Sequence, residues 1–303
     1  MKKFQFWLTV LFIGLVAGQG WSQDTIVRYA QVKTLNGDTF TGKIIEKTDE
    51  VLTITTVNVG EISIKMGDIK KLKEFTNEEM RDGLYWFENP NATRNVYGPT
   101  GYSLKKGEGY YQNFMIFLNS VSYGFTDNFT VRAGLIPVTF GEGLMFSITP
   151  KFSIPIVENK FNVGTGILYT HTFGENMGIG YGVATLGSRD NNLTLGMGYG
   201  VVNDDWSKAP IITFSGMMRI ARKFSLVSEN WLIPYRDTQW EYNQNTGESI
   251  LVSENTRYNL FFSYGIRFMS EQVTIDLAFV NISEEAIFPG IPLLGVVIPF
   301  GNR

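Results

Sequence analysis

His171 is the single histidine of a chain that has no cysteine, so few nucleophilic or metal chemistries are open to it. A lipid hydrolase or acylase built on this residue would need a serine within reach of the imidazole and an amide or acid to orient the ring. Residues 171–173 read His-Thr-Phe, without a His-x-Ser spacing, and a histidine beside an aromatic belt is the plainer reading. The missing cysteines also remove disulfides, thiolate metal sites and a lipidated N-terminal Cys. Gly178-x-Gly180-x-Gly182 and Gly196-x-Gly198-x-Gly200 have the spacing of phosphate loops. They lie inside extended runs rather than at a strand-to-helix turn, so nucleotide binding is not expected. No cofactor and no metal site is expected. Arg132, Lys151, Arg267 and Asp276 remain as charged residues that share a parity with small polar neighbours.

The elements that carry these residues are alternating runs. In "SVSYGFTDNFTVRAGLIPV", residues 120–138, two such runs flank the turn Thr126-Asp127-Asn128. Phe129, Val131, Ala133 and Leu135 fall on one side, and Thr130, Arg132 and Gly134 on the other. The same rule separates Phe146, Ile148, Phe152 and Ile154 from Ser147, Thr149, Lys151 and Ser153. Phe161, Val163, Ile167 and Tyr169 oppose Asn162, Gly164, Gly166 and Thr170; Met177, Ile179, Tyr181 and Val183 oppose Gly178, Gly180 and Gly182. Leu193, Leu195, Met197 and Tyr199 oppose Thr194, Gly196 and Gly198. Near the C-terminus Tyr264, Ile266 and Phe268 oppose Ser263, Gly265 and Arg267, and Ile275, Leu277 and Phe279 oppose Thr274 and Asp276.

A soluble sandwich covers its apolar faces with each other and dresses the wet faces with Lys and Glu. Here the polar rows carry Gly, Ser and Thr, and glycine is a poor choice for an open strand because it costs entropy and packs against nothing. It suits a crowded concave wall. The expectation is therefore an all-β, transmembrane, antiparallel up-and-down barrel with apolar rows towards lipid and small polar rows towards the lumen. On this reading Arg132, Lys151, Arg267, Asp276, Gly164, Gly166, Gly178, Gly180, Gly182, Gly196, Gly198 and Gly200 line the lumen, the glycines as a smooth wall on adjacent strands. Asp276 falls diagonally across from Arg267, close enough for a cross-strand ion pair, leaving Arg132 and Lys151 to bias solute charge.

Short polar turns at Thr126-Asp127-Asn128, Glu158-Asn159-Lys160, Arg189 to Asn192, Arg222-Lys223 and Ser270-Glu271 alternate with longer connections, the asymmetry of periplasmic turns and outer loops. Phe129, Phe161, Leu193 and Phe224 follow four of these turns, as one interfacial girdle would. Eleven runs begin at residue 110. Bacterial barrels use even numbers, so about twelve strands are expected, with "RNVYGPTGYSL" (94–104) as the twelfth. The segment 236–256, with Trp240, Tyr242, Asn245-Thr246-Gly247, Ile250 and Val252, reads as a hairpin reaching past the membrane, fit for an external partner.

Upstream, Lys2 and Lys3, an apolar run from Phe4 to Ala17 and small residues at Gly20 and Ser22 make a signal peptide over 1–22. Residues 23–75 offer short β runs broken by turns at Asn36-Gly37, Thr48-Asp49-Glu50 and Asn58 to Gly60, hence a small bent β domain. Thr76 with Glu79 forms a capping box for a helical linker over 76–93, ended by Asn89-Pro90. The barrel then occupies 94–303. Tyr85-Trp86-Phe87 is either core packing or an interfacial anchor. The chain is 14% aromatic with 32 glycines and a net charge of −3, which gives no electrostatic case for nucleic acid.

The pattern Leu35-x-Gly37-x-x-Phe40-x-Gly42-x-Ile44, with Ile62-x-Ile64 and Asp68-Ile69, resembles Sm-like and SH3-like small barrels. Exported and not basic, the segment resembles them as a docking module and not as an RNA binder. The stretch "NPNATRNVYGPTGYSLKKGEGYYQN" into "SVSYGFTDNF" resembles a group of uncharacterised outer-membrane proteins of Bacteroidota. That resemblance implies a Gram-negative outer membrane, a porin-like barrel with its small N-terminal domain in the periplasm, and little about activity. The partners expected are outer-membrane lipid, the barrel assembly machinery, which the final Leu294-x-Val296-x-Ile298-x-Phe300 run would engage, and a periplasmic partner of the small domain. The leading expectation is a non-enzymatic barrel serving passive small-solute passage or envelope and surface binding. The alternatives are a lipid-modifying barrel enzyme using His171 and a soluble secreted β protein with a ligand cavity.

Overall fold

The computed structural model describes residues 27–81, 83–136, 145–203, 205–243, 248–283 and 288–301. The expected signal peptide and the Asn245-Thr246-Gly247 turn lie outside them. The chain forms two units, Met1–Trp86 and Phe87–Arg303.

In the first unit β1 (Arg28–Thr34), β2 (Thr39–Lys47), β3 (Val51–Thr56), β4 (Gly60–Lys65) and β5 (Ile69–Thr76) form an antiparallel sheet in the order β4-β3-β2-β1-β5. Alternation places Ala30, Val32, Leu52 and Ile54 in its core, packed against Phe40, Ile44, Ile62, Ile64 and Leu72. The helical linker expected over 76–93 is not present among the described residues. The Glu79 carboxylate does accept the Thr76 N–H at 3.1 Å, yet only the 3-10 turn Asn77–Glu79 follows. Two short strands, β6 (Met80–Arg81) and β7 (Leu84–Tyr85), then pair with each other. The cause is burial: the Tyr85 ring packs tilted against Phe75, 4.6 Å between centroids, in the core of this unit, which a continuing helix would prevent. A cap gives about 1 kcal/mol, less than the roughly 1.5–3 kcal/mol of a buried aromatic.

The second unit is a closed antiparallel barrel. Its strands are β8 (Glu108–Phe114), β9 (Leu118–Gly124), β10 (Phe129–Ile136), β11 (Met145–Val157), β12 (Phe161–Thr172), β13 (Glu175–Gly187) and β14 (Asn191–Val202). A two-residue stub, β15 (Asp205–Trp206), folds back on β14. The wall continues with β16 (Ile211–Ala221), β17 (Phe224–Asn243), β18 (Glu248–Met269), β19 (Thr274–Ile282) and β20 (Ile291–Gly301). Each pairs with its neighbour, and β20 pairs with β8 to close the ring, so twelve strands remain once the stub is set aside.

The twelfth strand is not where the sequence placed it. Residues 110–125, read as one run, are split into β8 and β9 by a tight reversal at Met115 and Ile116, with φ of 54° and 69°. Neither residue favours the left-handed region, so nothing in the sequence announces the turn. Residues 94–104 are not part of the wall.

The short turns at 125–128, 158–160, 188–190, 222–223 and 270–273 gather at one end, with the start of β8 and the end of β20. Apolar rows face outward: Leu193, Leu195 and Met197 are 71%, 61% and 57% exposed, while Thr194 between them is 3% exposed. The exposed face runs round the ring through Phe152, Ile167, Phe214, Leu226, Ile266, Leu277 and Ile298, with no second layer over it among the described residues. A continuous apolar surface of this size is not stable in water. The arrangement is the reverse of a soluble sandwich. No described helix is long and apolar enough to cross a membrane; the strands are the spanning elements.

Candidate functional site

The interior is occupied by the chain's own backbone. Residues 87–107 enter at the short-turn end, rise to mid-barrel and descend again to β8. The ascending and descending limbs form a small hairpin: Arg94 bridges to Pro99, the Thr100 N–H donates to the Thr93 carbonyl at 3.0 Å and the Asn95 N–H to the Gly98 carbonyl at 3.1 Å. Asn91, Arg94, Asn95 and Thr100 are fully buried. At Gly101 this backbone lies close against the wall, since a Cβ there would sit 2.5 Å from the Asn162 carbonyl oxygen.

Four charged wall residues, Asp276, Arg267, Glu229 and Lys151, anchor the hairpin. Asp276 on β19 accepts Arg267 Nε at 2.6 Å and Arg94 Nη2 at 2.8 Å, all three buried. Arg267 and Asp276 stand directly opposite in register, rather than diagonally as the sequence suggested, and Arg267 also donates to the Asn95 carbonyl. Glu229 on β17 receives the backbone N–H groups of Val96, Tyr97 and Gly98 at 2.8–2.9 Å, with Trp231 Nε1 as a fourth donor at 2.9 Å. Lys151 on β11 donates to the carbonyls of Thr93, Thr100 and Tyr102 at 3.3, 3.1 and 2.5 Å. A cation thus satisfies the carbonyls of both limbs and an anion satisfies the N–H groups of the tip. Buried backbone groups must find such partners, and charge-assisted bonds are the strong kind. Neutral contacts complete the fit: Asn91 Nδ2 to Thr274 Oγ1 at 2.6 Å, Asn95 Nδ2 to Ser215 Oγ at 2.7 Å, the Gly101 N–H to Thr185 Oγ1 at 2.7 Å and the Tyr102 hydroxyl to the Gly187 carbonyl at 2.6 Å.

Arg132, Lys151, Arg267 and Asp276 therefore all point inward, and all four are engaged with the hairpin or with one another, Arg132 through the Tyr97 carbonyl at 3.4 Å. Sequence reading missed Glu229 and the hairpin itself. Pro99 in the middle of the supposed strand was no clear signal, because the wall strands themselves hold Pro150, Pro155, Pro234, Pro292 and Pro299.

The glycines divide between the two faces. Gly164, Gly166, Gly196, Gly198 and Gly200 share the inward parity, whereas Gly178, Gly180 and Gly182 face outward, contrary to the expectation for β13. Register settles the face: Gly180 pairs with Ile167 and Tyr199, both on the outer surface, and Gly182 pairs with exposed Met197. Inside, Tyr181 stands between Gly166 and Gly198, and Val183 between Gly164 and Gly196. The wall is not smooth but a checkerboard in which Tyr181 and Val183 fill the room left by glycines on both neighbouring strands, while Ile179 faces Gly200 on one side and Leu168 on the other. Thr185, fully buried, and Leu186, 60% exposed, carried the correct parity at the end of the same strand.

His171 sits on the outer face near the loop end. Its Nδ1 lies 2.9 Å from Asn176 Oδ1, which also accepts the Tyr169 hydroxyl at 2.8 Å, and its ring is 5.8 Å from Phe146. The partner is an amide oxygen, which supplies neither a nucleophile nor a base. Among the described residues no three His, Asp or Glu converge as metal ligands. Beyond Leu232 and Phe261, β17 and β18 continue as a pair without their outer neighbours, to Asn243 and Glu248; the expected long hairpin is present in the backbone.

No protein-family model and no curated protein matches the sequence. Among solved structures the chain is similar to the KdgM porin in complex with disordered oligogalacturonate, at 8% identity over 65% of this chain and 99% of that one, TM-score 0.44. It is similar to the NanC porin at 9% identity over 65% and 99%, TM-score 0.38. A loop L8 deletion mutant of OmpT, an outer-membrane protein of Vibrio cholerae, aligns at 11% identity over 91% and 99%, TM-score 0.32.

Proposed function

We propose that the chain is a porin-like, non-enzymatic protein of a Gram-negative outer membrane, and that it passes small solutes through a lumen narrowed by the hairpin of residues 87–107. The observation that carries this reading is the pairing of an uncovered apolar exterior with a polar interior that the chain itself constricts. Lipid is the medium that suits such an exterior. A wall of twelve strands lies between the filled interior of small barrels and the wide channel of large porins, so a constricting segment sets how much passes. The signal peptide and final strand of the sequence fit export and barrel assembly. The resemblance to Bacteroidota outer-membrane proteins belongs to this reading, as does an Sm-like or SH3-like docking role for the first unit in the periplasm.

Reconstitution in planar bilayers tests it. The full-length protein gives small single-channel steps. A variant with residues 95–98 replaced by a short Gly-Ser link gives larger ones. Silence from both, with each shown to be folded by heat-modifiable gel mobility, would overturn passage.

A second reading, surface binding, is favoured by the free-standing β17–β18 hairpin, because an element beyond the wall can carry a partner without disturbing it. Removing residues 240–251 would abolish capture of that partner and leave conductance unchanged.

A further inference from the structure

On the loop side of the hairpin tip the lumen opens into a cavity with about 70 Å³ open to water. Its walls are aromatic and aliphatic for the most part, with Tyr97, Tyr110, Tyr181, Trp231, Ile179 and Val183 among them. Two cations line it, Arg132 and Lys151, and no aspartate or glutamate does. Lys151 is committed, because its three protons go to the three hairpin carbonyls.

Arg132 differs. Its Nε donates to Ser122 Oγ at 3.3 Å, Nη1 to the Tyr97 carbonyl at 3.4 Å and Nη2 to the Tyr110 hydroxyl at 3.1 Å. A guanidinium has five N–H donors, so donors remain on both terminal nitrogens, and none of the groups it binds is a carboxylate. The Tyr181 hydroxyl, on the same cavity wall, is buried without a hydrogen-bond partner. Arg132 is partly buried, and a cation with no carboxylate partner among the described residues draws an anion. Apolar walls with few convergent polar groups are the usual composition of a small-molecule site.

We propose that this cavity binds a small organic carboxylate, its charged end held by Arg132 and the Tyr181 hydroxyl and its apolar body set against Trp231 and the tyrosines. The proposal rests on the porin-like reading in naming the solute class of that lumen. It selects against neutral isosteres because only an anion compensates the guanidinium, and against dianions because one unpaired charge is on offer.

Calorimetric titration of the folded full-length protein in detergent tests it, with benzoate as probe and benzamide as its neutral isostere. Benzoate binds about tenfold or more tightly than benzamide, the difference expected of one charge-assisted hydrogen bond. Arg132→Gln erases the preference. Since Arg132 also touches the hairpin, Tyr181→Phe serves as the second variant: it keeps the ring and weakens benzoate while leaving benzamide unchanged. Equal binding of the two probes, binding of neither, or a preference that survives both variants overturns the proposal. A silent bilayer with benzoate selectivity intact overturns passage and leaves the site standing; conducting channels without that selectivity do the reverse.

Discussion

Arg94 on the lumenal hairpin and Asp276 on β19 stand 2.8 Å apart with almost no solvent exposure, while Arg267 holds the other carboxylate oxygen at 2.6 Å. One anion thus answers two cations, and the three cannot be separated cheaply. Asp276→Asn leaves both guanidinium groups buried and unpaired, at a cost of about 3–5 kcal/mol. Arg94→Met leaves the Arg267–Asp276 pair intact and costs less. The temperature at which the folded gel band converts to the unfolded one reads the difference: Asp276→Asn lowers it more than Arg94→Met does.

Glu229 collects three successive backbone N–H groups of the hairpin tip. Glu229→Ala removes their acceptor, and hydrogen bonds to a charged group contribute about 1.5–3 kcal/mol each. The tip is expected to loosen while the hairpin stays tethered by Lys151 and Asp276. Single-channel recordings should show larger and noisier steps than the unaltered protein, short of those of the excised hairpin.

The outer face of β13 and the inner face of β12 make opposite demands on substitution. A Cβ at Gly180 meets nothing within 4 Å, whereas one at Gly166 would sit 2.6 Å from both the Pro150 carbonyl oxygen and the Tyr181 hydroxyl. Gly180→Ala therefore changes stability by less than about 0.5 kcal/mol, and Gly166→Ala costs about 1–3 kcal/mol through overpacking. Yields of heat-modifiable barrel after refolding into lipid check the ordering. Were Gly180 inward, as the sequence alone suggested, the two would behave alike.

Glu254 lies on the free-standing part of the β17–β18 hairpin, beyond the wall. Its hydrogen bond from Lys208 at 3.1 Å, with the charges of Lys208 and Arg236, holds its carboxyl below the usual range. A depressed folded value means that the contact contributes above the carboxyl's unperturbed pKa and is lost as pH falls through the depressed one. Being exposed, it contributes little. Protease nicking within 236–256 is expected to rise only at acid pH, and Lys208→Gln should show the same nicking already at neutral pH.

The wall was legible because its code is redundant. From Phe129 to Phe300, each strand repeats its parity several times, and Thr194 between Leu193 and Leu195 leaves no ambiguity. Strand β13 failed because neither of its rows has a charged residue, Ser or Thr from Gly178 to Val183; only Thr185 and Leu186 break the tie. The hairpin failed for another reason. Residues 94–104 alternate well enough to pass for a strand, and their true fate depends on Asp276, Glu229 and Lys151, each more than 45 positions downstream. The helical linker illustrates a third limit, since Thr76 and Glu79 made their expected contact and the burial of Tyr85 still decided the backbone.

The segment that fills the lumen is covalently continuous with β8, the strand that meets β20 at the ring's seam. The constriction is consequently tethered at the seam itself, so each barrel carries its narrowing segment within its own polypeptide.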